Sequence, residues 1–206
     1  MPIAEIIGFC AGTLGLIYAV PQNIKVYRTQ ETIGISIQTW ILLLISHSLW
    51  AGYGVATKSP SQIVTNVIAL FLVVALVGAL LGWNLKTVAI LILLSIVPFT
   101  VMQFSTAWLI SVFLIGITLI ARVPQVVRSY GTWKNHRGSA VSIATWTLAF
   151  SSTALWVVYA FIDHRYTVVL TASLSIIASV LIVAFETSAQ RNRKDTFPEL
   201  SPESAS

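Results

Sequence analysis

The stretch Ser36–Gly54, SIQTWILLLISHSLWAGYG, recurs at Ser142–Ala160 as SIATWTLAFSSTALWVVYA. Nine of the nineteen aligned positions are identical, and they include serine, threonine, tryptophan and tyrosine as well as leucine. Chance similarity between apolar segments usually matches aliphatic residues alone. A Pro-Gln pair precedes each copy, Pro21-Gln22 before the first and Pro124-Gln125 before the second. The sequence therefore predicts a duplicated structural unit.

The composition places this chain in a lipid bilayer. Hydrophobic residues make up 56% and charged residues only 9% of the 206 residues, whereas a soluble domain carries about 25% charged residues. The net charge of +5 does not indicate a nucleic-acid partner, because the basic residues cluster in loops beside apolar segments. Cys10 is the single cysteine, which excludes an intramolecular disulfide framework. The segment from Met1 to Val20 lacks the basic start of a signal peptide.

Seven segments are long and apolar enough to cross the bilayer, which takes about 20 residues. They are Ile3–Asn23, Ile37–Ala56, Ile63–Trp83, Val88–Phe104, Ala107–Val127, Ile143–Ile162 and Tyr166–Phe185. The polar residues that follow are expected to form a disordered tail.

The distribution of lysine and arginine predicts the orientation, because cytoplasmic loops are enriched in these residues. With the N-terminus outside, two basic residues, Lys58 and Arg165, lie in outer loops. Nine lie in the inner loops and tail: Lys25, Arg28, Lys86, Arg128, Lys134, Arg137, Arg191, Arg193 and Lys194. The prediction is an extracytoplasmic N-terminus and a cytoplasmic C-terminus.

The number of spans predicts how the two copies are related. A fourth span separates two groups of three, so both groups point the same way across the membrane, as parallel repeats do in some transporters. The expected fold is all-α, with two parallel three-helix bundles and a linker helix, a 3+1+3 arrangement. Its boundaries are 3–83 and 105–187 for the units, 84–104 for the linker and 188–206 for the tail.

These features resemble the PQ-loop family. Its pattern is a Pro-Gln pair at the end of the first helix of a three-helix unit, then a basic loop, a serine and a second helix like LWxxYG. The 3+1+3 arrangement is similar to that of the SWEET sugar transporters, and each half is similar to the bacterial SemiSWEETs. The superfamily also includes lysosomal amino-acid exporters, and the KDEL receptors share the fold, so the resemblance implies architecture more directly than substrate.

The Pro-Gln pairs are candidate hinges. Proline lacks an N–H and disturbs the helix at the carbonyl four residues earlier, here Ile17 and Ile120. A freed carbonyl within lipid must find another partner, and Gln22 or Gln125 could donate to it. In the resembled transporters such prolines act as hinges for alternating access. The competing interpretation is a pair of fixed, packed kinks.

The resemblance also implies a solute site. In the resembled families a tryptophan of the second helix and an asparagine of the third line the central pocket, which corresponds here to Trp50 and Asn66. The second unit has Trp156, but Ala172 replaces the asparagine and Ser173 or Ser175 is the nearest polar substitute. An indole can stack on a sugar ring and an amide can bind hydroxyls. Packing, an interfacial tryptophan belt or a helix–helix hydrogen bond would also explain these residues.

Four further polar residues have two interpretations each. His47 is the most central ionisable residue and a possible proton site, or it is a neutral, hydrogen-bonded histidine. Arg122 either extends towards the membrane surface or forms part of an inner gate. Tyr53 and Tyr159 either close an outer gate with Asp163 or Arg165, or anchor the helix ends among the headgroups.

These observations favour a transporter over an enzyme. No cluster supports catalysis, a metal site or a cofactor, and the last span contains no lysine for a retinal Schiff base. The leading hypothesis is facilitated diffusion of a small neutral polar solute, most simply a sugar, by alternating access. The alternatives are a proton-coupled transporter of an amino acid or similar metabolite, and a non-transporting receptor or scaffold. The expected partners are the solute and the bilayer; a monomer would suffice, and a homo-oligomer is compatible with the sequence.

Overall fold

The computed structural model describes residues 2–17, 20, 24, 27–28, 37–135 and 143–196, with side chains described up to residue 189 and, after the second long gap, from residue 147. Seven helices lie in these ranges. They are α1 Ile3–Ile17, α2 Ile37–Ala56, α3 Pro60–Leu81, α4 Leu85–Phe104, α5 Ala107–Lys134, α6 Ile143–Ile162 and α7 Tyr166–Thr196. Five of them, α2 to α5 and α7, are long and apolar enough to span a membrane, and shorter apolar helices cover Ile3–Ile17 and Thr147–Ile162.

Polar side chains explain where several helices begin. The Ser59 side chain accepts a hydrogen bond from the Gln62 amide at the start of α3, and Pro60 occupies the first turn, where its missing N–H costs nothing. Asn84 caps α4 and Thr106 caps α5 in the same way. The connections from α2 to α3, from α3 to α4 and from α4 to α5 are only a few residues long. Each of these helices therefore runs in the opposite direction to the one before it.

Two helices continue beyond their predicted ends. Helix α5 extends past Val127 to Lys134, and α7 extends past Phe185 to Thr196. The sequence after Phe185 contains no proline or glycine before Pro198, and its Ala, Gln, Arg and Lys residues favour a helix. The expectation of a disordered tail from residue 188 was therefore wrong as far as Thr196. Residues 197–206 lie outside the described part of the chain.

The alternating helices define two ends of the bundle. The Glu5 end contains the starts of α1, α3, α5 and α7, and the Glu186 end contains the opposite ends of the same helices. At the Glu5 end the Ser59 hydroxyl of the α2–α3 turn bonds Glu5 of α1. Ser111 near the start of α5 bonds Thr167 at the start of α7. Pro124 and Gln125 lie in the half of α5 nearer the Glu186 end.

The helices pack in a pattern that relates the first three to the last three. Helix α1 packs against α3 and α6, and α5 packs against α7 and α2. Helix α2 packs along α3, and α6 packs along α7. Exchanging α1, α2 and α3 with α5, α6 and α7 leaves this set of neighbours unchanged.

Helix α4 lies mainly against α2. A Cβ atom on Gly52 of α2 would come within 2.9 Å of the Phe99 carbonyl oxygen of α4, so glycine allows the two backbones to approach closely. The Gln103 side chain donates to the Gly52 carbonyl at 2.9 Å, and the Ser48 hydroxyl donates to the Ser95 carbonyl. These contacts attach α4 to the first group of helices.

The α2–α3 and α6–α7 turns have the same backbone structure. Lys58 and His164 both adopt left-handed conformations, with φ of 55° and 53°. The amide of Ser59 donates to the Gly54 carbonyl at 2.9 Å, and that of Arg165 donates to the Ala160 carbonyl at 2.8 Å. These residues occupy equivalent positions at the ends of the repeated stretches and just after them, so the similarity between the two units continues into the local geometry.

Candidate functional site

The two repeated tryptophans make equivalent aromatic contacts. Trp50 meets Tyr53 edge to face with ring centroids 5.5 Å apart. Trp156 meets Tyr159 edge to face at 5.2 Å. Edge-to-face pairs of this kind contribute about 0.5–1.5 kcal/mol beyond the area that they bury. Both pairs lie on the inner faces of α2 and α6, towards the Glu5 end.

Both aromatic pairs pack in one apolar cluster. Tyr53 and Tyr159 are buried members of this central cluster, and Trp50 and Trp156 are half-buried against it. Its other buried members come from several helices: Ala4, Leu49, Met102, Ile110, Leu114, Ile117, Ala160 and Val168. The structure therefore places both predicted tryptophans at the contact between the two groups of helices.

A chain of hydrogen bonds joins α6 to α1 and α3 at the Glu5 end. The Tyr159 hydroxyl donates to Ser59 Oγ at 2.8 Å, and Ser59 Oγ donates to Glu5 Oε1 at 3.0 Å. The second oxygen of Glu5 accepts from the Ser61 amide at 2.7 Å. That amide lies in the first turn of α3, where the helix dipole favours a negative charge. Both carboxylate oxygens of this buried glutamate are thus satisfied.

Arg165 makes a second connection across the same end. Its Nε atom lies 2.6 Å from Asp163 Oδ2, and its terminal nitrogen donates to the Thr57 carbonyl at 2.9 Å. Partial burial alone lowers the pKa of Arg165, but the hydrogen bond and charge of Asp163 outweigh burial and raise it. The guanidinium therefore stays charged across the neutral range, and it joins the α6–α7 turn to the α2–α3 turn.

Gly8 makes room for this arrangement. A Cβ atom at Gly8 would lie 2.3 Å from Ser61 Oγ and 3.1 Å from Tyr159 Cδ2. Any side chain there would push α1 away from α3 and from the Tyr159 ring. A glycine thus permits the close packing on which the Glu5-end hydrogen bonds depend.

His47 and Asn66 lie together. His47 Nδ1 is 3.0 Å from Asn66 Oδ1, and Asn66 Nδ2 donates to the Gln62 carbonyl at 2.9 Å. Since the amide oxygen can only accept, His47 carries its proton on Nδ1 in this contact. Ser173 is half-buried on α7 and takes part in none of the hydrogen bonds described for this region.

The two Pro-Gln pairs differ in what the structure describes. Pro21 and Gln22 lie outside the described residues. Pro124 is exposed within the continuous helix α5, and Gln125 donates to Ser129 Oγ at 3.3 Å. Arg122, two residues before Pro124 on α5, is half-buried. The hinge and gate roles of these residues stay predictions.

Sequence reasoning missed the two buried glutamates, Glu5 and Glu186, which are 6% and 1% exposed. Glu5 is the only acidic residue in the first predicted span, which was a signal for a special role. Ser59 stands before a proline at a helix start and matched an N-cap signal. In the sequence, Glu186 stands at the start of the polar segment that follows the last predicted span. The extension of α7 places it inside the bundle.

A protein-family model described as "PQ loop repeat" matches residues 3–63. This part of the chain is similar to the repeat of the PQ-loop family. The match covers α1, α2 and the start of α3, the region of the first Pro-Gln pair and the first copy of the repeated stretch. The chain is SWEET-like in its apolar, all-helical structure, and it is an integral, multi-pass membrane protein.

Two relatives and one solved structure are also similar to this chain. The sugar transporter SemiSWEET of Escherichia coli (strain UMEA 3162-1) is 36% identical over 52 residues, 25% of this chain and 58% of the relative. The SemiSWEET of Bradyrhizobium diazoefficiens is 29% identical over 70 residues, 34% of this chain and 81% of the relative. A eukaryotic SWEET transporter has a similar fold, with a TM-score of 0.69 over 92% of this chain and 13% identity.

Proposed function

We propose that this protein is a membrane transporter that moves a small polar solute, most simply a sugar, by facilitated diffusion through alternating access. Its two three-helix units are α1–α3 and α5–α7, arranged in parallel and joined by α4. The choice of a sugar rests on the SemiSWEET relatives, which are described as sugar transporters. The rest of the proposal comes from the arrangement of the helices and the Glu5 end.

The neighbour pattern of the helices supports the two units. Apart from the contacts of α2 and α3 with α4, each helix of the first group has the same neighbours as its counterpart in the second. The turns at Lys58 and His164 share one backbone geometry. An axis along the membrane normal would relate such units, with the solute between them near the bilayer middle.

The contacts at the Glu5 end support a closed gate. Tyr159 and Arg165 of the second unit bond Ser59 and Thr57 of the first. A solute could pass this end only if those bonds broke and the units moved apart. The bending points would be the two Pro-Gln pairs, and with the N-terminus outside, the Glu5 end would be the extracytoplasmic gate.

The proposed solute site rests on the two aromatic pairs. Trp50 and Trp156 are half-buried at equivalent positions on the two units and face one cluster. A sugar ring between them could stack on both indoles, while Asn66 and Ser173 could bind its hydroxyls. The bond to His47 engages the Asn66 oxygen, and the Asn66 nitrogen donates to the Gln62 carbonyl at 2.9 Å and to the Gln62 side-chain oxygen at 3.4 Å. A sugar hydroxyl would replace the longer of these two contacts.

Counterflow into proteoliposomes tests the proposal. Vesicles preloaded with glucose or sucrose should take up the labelled sugar, and a pH gradient should neither drive nor prevent uptake. Trp50→Ala and Asn66→Ala should each reduce the rate at least tenfold. Trp108→Ala is the matched control, because Trp108 is 70% exposed and should leave the rate unchanged.

The same vesicles separate the alternatives. Gradient-driven uptake of an amino acid that is lost in His47→Ala would replace the sugar uniporter with a proton-coupled transporter. Saturable binding without flux, in vesicles with demonstrated insertion, would indicate a receptor on this fold.

A further inference from the structure

The side-chain amide of Asn66 is held between α2 and α3. Its oxygen, Oδ1, lies 3.0 Å from His47 Nδ1 of α2. Its nitrogen, Nδ2, donates to the Gln62 carbonyl one turn earlier on α3 at 2.9 Å, and the Gln62 side-chain oxygen lies 3.4 Å from it. Gln62 itself is buried. Both ends of the amide are therefore engaged by the protein without any solute.

These contacts select one orientation of the amide. Turning the amide by half a rotation would exchange its oxygen and nitrogen, and the oxygen would then face the Gln62 carbonyl. Two acceptors would oppose each other, because neither a carbonyl nor an amide oxygen can donate. The Gln62 carbonyl thus fixes the side on which the nitrogen lies, and His47 supplies the donor that the oxygen needs on the other side.

The contacts of this amide lie within one unit. Helix α2 packs along α3, and His47, Gln62 and Asn66 belong to these two helices. The hydrogen bond from Tyr159 to Ser59, by contrast, joins the two units. Separation of the units would break the second kind of contact and leave the amide held as before. A side chain that is already immobilised costs less conformational entropy when a ligand binds.

The second unit has no equivalent arrangement at the corresponding positions. Thr153 replaces His47 and Ala172 replaces Asn66. The Thr153 hydroxyl donates to the Ala149 carbonyl of its own helix at 2.6 Å. The oriented amide is therefore a property of the first unit.

We propose that His47 is a positioning residue, which holds the Asn66 amide in the orientation that receives a hydroxyl group of the solute. The inference rests on the proposed function, in which Asn66 binds that solute. Since an amide oxygen can accept two hydrogen bonds, Oδ1 keeps capacity for one more. A hydroxyl can donate to that oxygen and accept from Nδ2, whereas an ammonium group only donates and a carboxylate only accepts. The oriented amide thus favours a hydroxyl-bearing solute over the charged groups of an amino acid.

Two substitutions of His47 separate positioning from other roles in the counterflow assay. Asparagine places an amide nitrogen near the position of Nδ1 and keeps a donor, whereas leucine fills a similar volume without one. His47→Asn should keep the KM for sugar close to that of the wild type. His47→Leu should raise the KM roughly two- to tenfold, the cost of ordering one free side chain, with a smaller effect on the maximal rate. Packing alone would leave both variants unimpaired and proton transfer would impair both, so either pattern would overturn the proposal.

A double-mutant cycle tests whether His47 acts through Asn66. In an Asn66→Ala background, adding His47→Leu should reduce uptake no further, because the amide that His47 positions is already absent. Additive losses would overturn the proposal.

Nitrogen NMR of isotope-labelled histidine in lipid nanodiscs, without solute, tests the contact independently of flux. The signal that disappears in His47→Asn belongs to His47. It should show a proton on Nδ1, and it should move in Asn66→Ala. A proton on Nε2 alone, or a signal that Asn66→Ala leaves unmoved, would overturn the proposal. Absence of sugar counterflow in the wild type would overturn the proposed function and this role with it, whereas counterflow with an unchanged KM in His47→Leu would overturn this role alone.

Discussion

Replacing Tyr159 by phenylalanine removes a single hydroxyl from the proposed gate. That hydroxyl donates to Ser59 Oγ at 2.8 Å and links the second unit to the first. Ser59 keeps its bond to Glu5, so the change removes one hydrogen bond between the units without leaving Ser59 unpaired. It also removes the longer contact of this hydroxyl, 3.5 Å, to Asp163 Oδ2 within the second unit. The buried ring, its contact with Trp156 and the surrounding packing stay the same.

The expected effect follows from the strength of one hydrogen bond. A typical intramolecular hydrogen bond contributes about 1 kcal/mol net, which corresponds to a roughly fivefold change in an equilibrium constant. The bond exists only while the Glu5 end is closed. Tyr159→Phe should therefore raise the ratio of open to closed molecules about fivefold.

Distance measurements between spin labels provide the assay. Val64 and Leu170 occupy equivalent positions on α3 and α7 and are 43% and 48% exposed, so cysteines there should accept labels without disturbing the gate. The exposed Cys10 is first replaced by serine. Double electron–electron resonance in nanodiscs should show a longer-distance component that grows in Tyr159→Phe.

A matched variant makes this result interpretable. Tyr166→Phe removes a hydroxyl at the same end from a residue that is 79% exposed, and it should leave the distances unchanged. Identical distributions in the wild type and in Tyr159→Phe would refute the reasoning that this hydrogen bond holds the two units together.

Two more predictions concern packing and charge. Gly12→Ala should lower the thermal stability in detergent, because the new Cβ would lie 2.2 Å from a Thr65 side-chain carbon and such overpacking costs about 1–3 kcal/mol. Gly116→Ala, with nothing within 4 Å of its Cβ, is the control, and equal melting temperatures would contradict the close α1–α3 contact. Arg165→Gln should increase the longer-distance component in the label assay, since it weakens the bond to the Thr57 carbonyl. In the wild type this contact should not change with pH in the neutral range. Because the pKa of Arg165 is raised, its stabilisation is fully present across the neutral range and is lost only in strong alkali. A pH-dependent distribution in the wild type that Arg165→Gln abolishes would contradict this assignment.

The helices could be predicted well because their signals are local. Uninterrupted apolar stretches give α2 and α6 the predicted bounds, Ile37–Ala56 and Ile143–Ile162. The ends of α5 and α7 were harder, because a helix that leaves the bilayer can continue in water without an apolar pattern. Its end then depends on caps and helix propensity rather than on hydropathy.

The polar contacts were only partly predictable. The repeat singled out Tyr53 and Tyr159, and an outer gate with Asp163 or Arg165 was one of the two roles expected for them. The partner Ser59 and the buried Glu5 could not be inferred, because their roles depend on how α1 packs against α3 and α6. The two units also differ here, because the position in α5 that corresponds to Glu5 holds no carboxylate. The repeat therefore did not single out Glu5.

Cross-linking the two units at the Glu5 end tests the central claim most directly. Cysteines replace Thr57 and Arg165, whose atoms are in contact across the units, in a chain that carries Cys10→Ser. Sugar counterflow is measured before addition of a cleavable bifunctional thiol reagent, after cross-linking and after reduction. The account predicts that cross-linking stops the flux and that reduction restores it. Undiminished flux through fully cross-linked protein would contradict transport by alternating access at this gate.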